Sequence, residues 1–319
     1  MTATTETRAT GDRHFRARRL AHANLYVRDL ARSIDFYHRV VGLERTYSLP
    51  VPKAGFLSNG ASHHDIGLVE LGGPTARKTE PGLNHFGFEL ENETDLVAGY
   101  RAAVGAGVNF YRTVNHHITH SLYVFDPDGN SNEIYADVTT DWRTARGTTP
   151  TQKWTPGETP PSPERNYDPD PVYVRVAGAM FQPLRITHAT VVGNDFEGLF
   201  DHYTRVVGLT PIVGGRGAPF AALAGACGFG AINLFRAVDG QAAGLHHIGF
   251  EMANDADLDA GRRSLPRTGA AKERDVDHPL RRTTFVRDPD GMMIAFYVNR
   301  PNWRERLGSL DAATALWVA

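Results

Sequence analysis

The sequence predicts an α+β protein of two tandem domains, each reading strand, helix, strands and then strand, helix, strands again. Three observations carry that prediction. First, the chain is duplicated. "LAHANLYVRDLARSIDFYHRVVGLE" from Leu20 is answered by "RITHATVVGNDFEGLFDHYTRVVGLT" from Arg185, "GLNHFGFELEN" by "GLHHIGFEMAN", and "DPDGNSNEIY" by "DPDGMMIAFY". Order and spacing both hold, so the likeness is an internal repeat. Second, strand-type alternation and glycine-stopped helical runs recur inside each copy. Third, residues 141–183 hold eight of the chain's 19 prolines, and "TPGETPPSPERNYDPDP" suits neither a helix nor a central strand.

Residues 1–17 contain no apolar run of the kind a secretory leader has. They are rich in Arg and Thr, a faint likeness to a transit peptide, and read as a flexible tail. The first domain spans 18–140. In "LAHANLYV", Ala21, Ala23, Leu25 and Val27 share one face of a strand, and His22, Asn24 and Tyr26 the other. Asp29 is placed to cap the helix "LARSIDFYHRVV", whose face is Ile34, Tyr37 and Val41, and Gly42 to stop it. "DIGLVEL" and "NHFGFEL" are strands, and "ETDLVAGYRAAVGAG" is a second helix. "HSLYVF" and "NEIYADV" form a closing hairpin across the Asp-Pro-Asp-Gly turn, where Gly129 supplies the positive φ. The proline-rich stretch 141–183 is a linker, and 184–300 repeats the pattern. The tail 301–319 reads as a short helix packing back on the body.

The chain has 319 residues and a formal charge of −2, so no global field favours nucleic acid or an anionic membrane. No apolar run approaches the roughly 18 residues of a membrane span. The single cysteine, Cys227, allows no disulfide framework and no cysteine metal cluster, which fits a reducing, cytoplasmic compartment.

The strand phases place His22, His85 and Glu133 on the non-aliphatic faces of three strands. Two imidazoles and one carboxylate on one curved sheet would form a 2-His-1-carboxylate triad for a non-haem divalent metal, with positions left open for substrate and O2. A structural zinc site would instead close its shell. A lone strand histidine is ordinarily a core or surface residue, and spacing alone leaves the two readings evenly matched.

The run "VNHHITHSLYVFDPDGNSNE" resembles the signature of type I extradiol ring-cleavage dioxygenases: a histidine, an apolar-Tyr pair, Asp-Pro-x-Gly, then a glutamate. Here those are His116, Leu122-Tyr123, Asp126-Pro127, Gly129 and Glu133. The repeated units resemble the vicinal oxygen chelate superfamily, whose domains pair βαβββ modules into a curved mixed sheet around a central cleft. The resemblance implies His22, His85 and Glu133 as metal ligands and Fe(II), with Mn(II) as second choice, as the metal. It implies His64, in "SHHDIGLVEL", as the acid–base histidine, with His63 the alternative, and His116 and Tyr123 as groups bonding the substrate oxygens. A catecholic substrate and O2 are the implied reactants and a homo-oligomer the implied assembly. A neutral imidazole near pH 7 suits the proton transfers that catechol chelation and O–O cleavage require.

In the second copy His188 and His247 persist and His278 answers His116, but Glu133 becomes Ala295, Tyr123 becomes Phe285 and His64 aligns with Gly230. That domain is expected to be a degenerate scaffold. In two-domain relatives the catalytic half is the second, and here it is the first. Two other readings stand: a glyoxalase- or epimerase-like enzyme with Glu70 as an extra ligand, and a non-enzymatic binding protein. Arg112 reads as a surface arginine, with a substrate carboxylate as the alternative partner.

Overall fold

The structure, a computed structural model, describes residues 13–73, 76–145 and 151–319. It holds two mixed sheets. The first contains β1 (Arg19–Val27), β2 (Glu44–Leu49), β3 (Ala54–Ser58), β4 (Ile66–Glu70), β5 (Gly82–Glu89), β6 (Phe110–Asn115), β7 (Thr119–Phe125), β8 (Ser131–Asp137) and β9 (Gln152–Lys153). Their order is β2-β3-β4-β1-β5-β8-β7-β6-β9. The second contains β10 (Arg185–Gly193), β11 (Thr210–Val213), β12 (Phe220–Ala224), β13 (Gly230–Arg236), β14 (Gly244–Glu251), β15 (Ala271–His278), β16 (Arg281–Arg287) and β17 (Met293–Asn299). Its order, β11-β12-β13-β10-β14-β17-β16-β15, repeats the first. The helices are α1 (Leu30–Phe36), α2 (Glu93–Gly105), α3 (Trp142–Ala145), α4 (Phe196–Asp201), α5 (Asp255–Ser264), α6 (Trp303–Leu307) and α7 (Ala312–Val318).

Local chemistry sets the element ends. Asp29 accepts from Arg32 N at 3.0 Å and caps α1. The helix widens into a π-turn at Tyr37–Val41 and ends at Gly42, whose φ of 98° only glycine adopts freely. β1 is central, parallel to β4 and antiparallel to β5, and is buried on both faces from Leu20 to Val27. Its aliphatic face joins the hydrophobic core: Ala23, Leu25 and Val27 belong to one buried cluster that also holds Ala189, Val191 and Ile232 of the second sheet. The two domains therefore share a core.

The Asp-Pro-Asp-Gly turns are tied across the domains. Tyr37 donates to Asp288 of the second turn at 3.0 Å, and Tyr203 donates to Asp126 of the first at 3.0 Å. Each aspartate also accepts backbone amides within its own turn, Asn130 N at 2.8 Å for Asp126 and Met292 N at 2.8 Å for Asp288. Burial pushes the Asp288 carboxyl up to about 6. Each Tyr→Phe replacement leaves a buried carboxyl short of a donor, so Tyr37→Phe and Tyr203→Phe should each lower unfolding free energy by about 1–3 kcal/mol, measured by urea titration.

The segments that precede each domain bind the other one. His14 N, Phe15 N and Ala17 N donate to Arg205 O, Val206 O and Val207 O, and Met180 N, Phe181 N and Gln182 N donate to Arg39 O, Val40 O and Val41 O. Phe15 is buried against Phe110, at 6.1 Å between ring centroids, and Phe181 stacks on Phe296 at 3.8 Å. The flexible tail expected over 1–17 thus does not extend through 13–17, because an apolar ring there finds a core site; residues 1–12 lie outside the described residues. Within the linker, β9 pairs with β6 and Trp154 stacks on His120 at 4.5 Å.

His202 is buried beside this interface, its Nε2 3.3 Å from the Asn132 amide nitrogen, and burial pushes its pKa down to about 4. A group whose folded pKa is depressed below its unfolded value binds a proton more readily when unfolded. Its stabilising contribution is present above about pH 6.5 and is lost as pH falls toward 4. The unfolding free energy read from urea titration should fall through that window, by roughly 3 kcal/mol from this group alone. A His202→Gln variant should show a shallower acid slope in the same titration.

Candidate metal centre

Three adjacent strands bring the triad together. In register, His22 of β1 faces Gly87 of β5, and Gly87 faces Glu133 of β8, with His85 two residues from Gly87 on the same face. Gly87 is required by space. A Cβ there would run into the His22 ring at Cε1 and Nε2, closer than real Cβ atoms come. The imidazole lies over the glycine and reaches the carboxylate.

His22 Nε2 and His85 Nε2 each lie 3.0 Å from Glu133 Oε2. His85 Nε2 and His22 Nδ1 are buried and have no hydrogen-bond partner among the described residues. All three side chains are buried. Cis ligands on metal bonds of about 2.1 Å are about 3.0 Å apart, so the two His–Glu133 spacings match those of neighbouring ligands on one divalent metal. His85 Nδ1 is 2.6 Å from Asn84 Oδ1. That partner fixes Nδ1 as the protonated nitrogen and turns the Nε2 lone pair inward. Burial works to raise the Glu133 pKa, but the His22 and His85 contacts outweigh it and hold the carboxyl well below its usual range. Burial likewise lowers His22 more than Glu133 raises it, so the imidazole is neutral and can donate a lone pair.

The other sequence-derived candidates border the same space. His64 Nε2 is 3.1 Å from Asn24 Oδ1, its Nδ1 is 3.4 Å from the Tyr47 hydroxyl, and its ring centroid is 4.1 Å from that of His22. His63 sits 3.8 Å from Asp137 Oδ1. Burial pushes His63 down to about 3 and holds His64 well below 6.5, so both are neutral bases. His116 Nε2 is 3.0 Å from the Tyr123 hydroxyl and 3.7 Å from Glu133 Oε1. Burial, then Glu133, keeps Tyr123 protonated. His22, His63 and His64 form a second close imidazole cluster sharing His22.

His63, His64, His85, His116, Tyr123 and Glu133 line a cavity of about 400 Å³ walled by Tyr47, Phe56, Tyr111 and Phe125, with Arg77 and Arg112 also lining it. Asn84, Asn24 and Tyr47 were not anticipated from the sequence. The signal for Asn84 lies in the repeat, where "NHFGF" meets "HHIGF" and Asn84 becomes His246. Glu70, the extra ligand of the alternative reading, is corrected by the structure. Its carboxylate accepts from Lys53 Nζ at 2.6 and 2.7 Å and from Leu30 N at 3.0 Å, and it does not line the cavity. The lysine and the first amide of α1 hold it away from the triad.

In the second domain His188 and His247 keep their places, with ring centroids 5.7 Å apart. His247 Nε2 is 3.1 Å from Thr190 Oγ1, and His278 Nδ1 accepts from Leu280 N at 3.2 Å. Trp317 of α7 packs against Phe285 at 5.2 Å and His246 at 4.9 Å, in a cluster with Met293 and Ala295. An indole therefore fills the space that the first domain leaves open.

A family model described as Glyoxalase/Bleomycin resistance protein/Dioxygenase superfamily matches residues 19–134 and 185–296. Biphenyl-2,3-diol 1,2-dioxygenase 3 of Rhodococcus globerulus is 32% identical over 122 residues, which cover 37% of this chain and 63% of that protein, just under two thirds of its length. The 2,3-dioxygenase LapB from Pseudomonas sp. KL28 superposes with a TM-score of 0.66 at 17% identity over 90% of this chain and 93% of that one. The Mn(II)-bound glyoxalase from Novosphingobium aromaticivorans does so at 0.65 and 16% identity, over 89% and 82%. At such identities the structural likenesses concern the fold.

Proposed function

From membership of the Glyoxalase/Bleomycin resistance protein/Dioxygenase superfamily, to which this chain belongs, we propose that it is an extradiol dioxygenase. It opens the ring of a catecholic substrate beside the diol and incorporates both atoms of O2. Its metal is Fe(II), with Mn(II) the second choice, on His22, His85 and Glu133. The observation that carries this reading is the clustering of three buried donor atoms, with two contacts at 3.0 Å, beside a cavity that His85, Glu133, His64, His116 and Tyr123 line. Relatives named as biphenyl-diol and catechol dioxygenases support it.

When bound, the metal supplies Lewis acidity toward the diol oxygens and redox chemistry toward O2. The chain's own residues do the rest. His64, kept neutral by burial, accepts the proton that a catechol hydroxyl gives up on chelation and returns it as the O–O bond breaks. His63 is the alternative in that role. The Tyr123 hydroxyl and the His116 imidazole donate to substrate oxygens as charge develops there. Tyr47, Phe56 and Tyr111 hold the ring in place and exclude water. Among the described residues no helix is long and apolar enough to cross a membrane. A cytoplasmic homo-oligomer completes the proposal.

Anaerobic loading with Fe(II) followed by a catechol panel tests it. O2 uptake with formation of a yellow ring-opened product is expected. A loaded protein that consumes no O2 with any catechol overturns the reading.

A further inference from the structure

In the second domain a buried arginine, Arg281, has no ion pair among the described residues. In the first sheet Thr119 pairs in register with Asp137; the corresponding pair in the second sheet is Arg281 with Asn299. The duplication has therefore gained a guanidinium and lost the neighbouring carboxylate. His63, which faces Asp137 in the first domain, is replaced by Phe229.

Arg281 is 4% exposed. Its Nε donates to Asn299 Oδ1 at 2.8 Å, and its guanidinium lies 4.0 Å from the Tyr297 ring centroid and 5.0 Å from that of Trp303. Among the described residues no acidic group forms an ion pair with it. The nearby carboxylate, Glu251, is taken by Arg185 through contacts of 2.8 and 2.7 Å. Arg281 borders a cavity of about 200 Å³ that His188, Phe229 and Trp303 also line, with Ala319 at its edge. An arginine cannot shed its proton to escape burial, so an unpaired one is costly unless something neutralises it.

We propose that this cavity binds a small monocarboxylate, with Arg281 as its anchor. The planar guanidinium fork matches the two oxygens of a carboxylate. Of the other charged side chains lining the cavity, Arg185 and Glu251 pair with each other and Arg304 is exposed to solvent, so Arg281 is the buried charge left to be neutralised by one negative charge, and the aromatic walls of Phe229 and Trp303 suit the apolar body of such an acid. The site is separate from the triad of the first domain and does not depend on the activity proposed for it.

The test uses the full chain, metal-free, in a zwitterionic buffer without carboxylate or halide. Benzoate, acetate and inorganic phosphate are titrated while the melting temperature is followed. Saturable stabilisation by benzoate and acetate is expected, since a ligand of the native state raises its stability by mass action. In Arg281→Met that response should weaken at least tenfold in apparent affinity, while the ligand-free variant melts no lower than wild type because the unpaired charge is gone. An unchanged benzoate response in Arg281→Met, or a stronger response to phosphate than to either carboxylate, overturns the proposal. Should the variant fail to fold, a wild-type crystal soaked in 4-bromobenzoate decides: an anomalous bromine peak beside Arg281 supports the site, and its absence there refutes it.

Discussion

Glu133→Ala should abolish metal binding. The replacement gives the first domain the donor set of the second, two histidines and an alanine, and removes the anion that both imidazoles face at 3.0 Å. Loss of an outer partner of a metal ligand costs about 10–100-fold in affinity, and loss of a ligand itself should exceed that. Metal analysis after anaerobic Fe(II) loading should give near-zero stoichiometry, and O2 uptake with catechols should vanish. The fold should survive, because the side chain carries no core packing. Glu70→Ala is the matched control: its carboxylate is held by Lys53, so metal content should stay at the wild-type level. Loss of metal in Glu70→Ala, or full metal in Glu133→Ala, would falsify the assignment of the triad.

Gly87→Ala should act nearly as strongly without touching a ligand. The added methyl occupies the place of the His22 ring, and because Gly87 lies in a paired strand the backbone cannot retreat. The imidazole must swing away, and metal affinity should fall by at least the ten- to hundredfold of a lost outer partner. Gly249→Ala makes the same collision with His188 in the second domain. That variant should lose stability but bind metal as wild type does. Isothermal titration with Mn(II) reads both, and equal affinities in the two variants would mean that His22 is not a ligand.

Both predictions rest on features with different visibility. That His22, His85 and Glu133 share one side of the first sheet is legible in the phases of short alternating strands, while their role as ligands comes from the resemblance of the surrounding motif and stands as a proposal. The capping by Asp29, the stop at Gly42 and the paired Asp-Pro-Asp-Gly turns were legible for the same reason: each is a local preference written into consecutive residues. Glu70 is placed by the alternation of β4: Val69 lines the cavity, so Glu70 takes the other face, where Lys53 and the amide of Leu30 hold it.

By itself the sequence determined that there are two copies of one unit, that their strands and helices follow one order, and that only the first copy keeps a carboxylate beside its histidines. Periodicity, glycine and proline placement and residue chemistry are properties of neighbouring residues, and they survive in a linear string. Only the tertiary structure decided that the two preceding segments cross to the opposite domains, that Tyr37 and Tyr203 tie the turns together, that Trp317 fills the second cleft, and that Arg281 is buried with no ion pair among the described residues. Those outcomes depend on groups far apart in the chain competing for the same buried volume. Such competition is settled by packing and desolvation, which a local pattern does not encode.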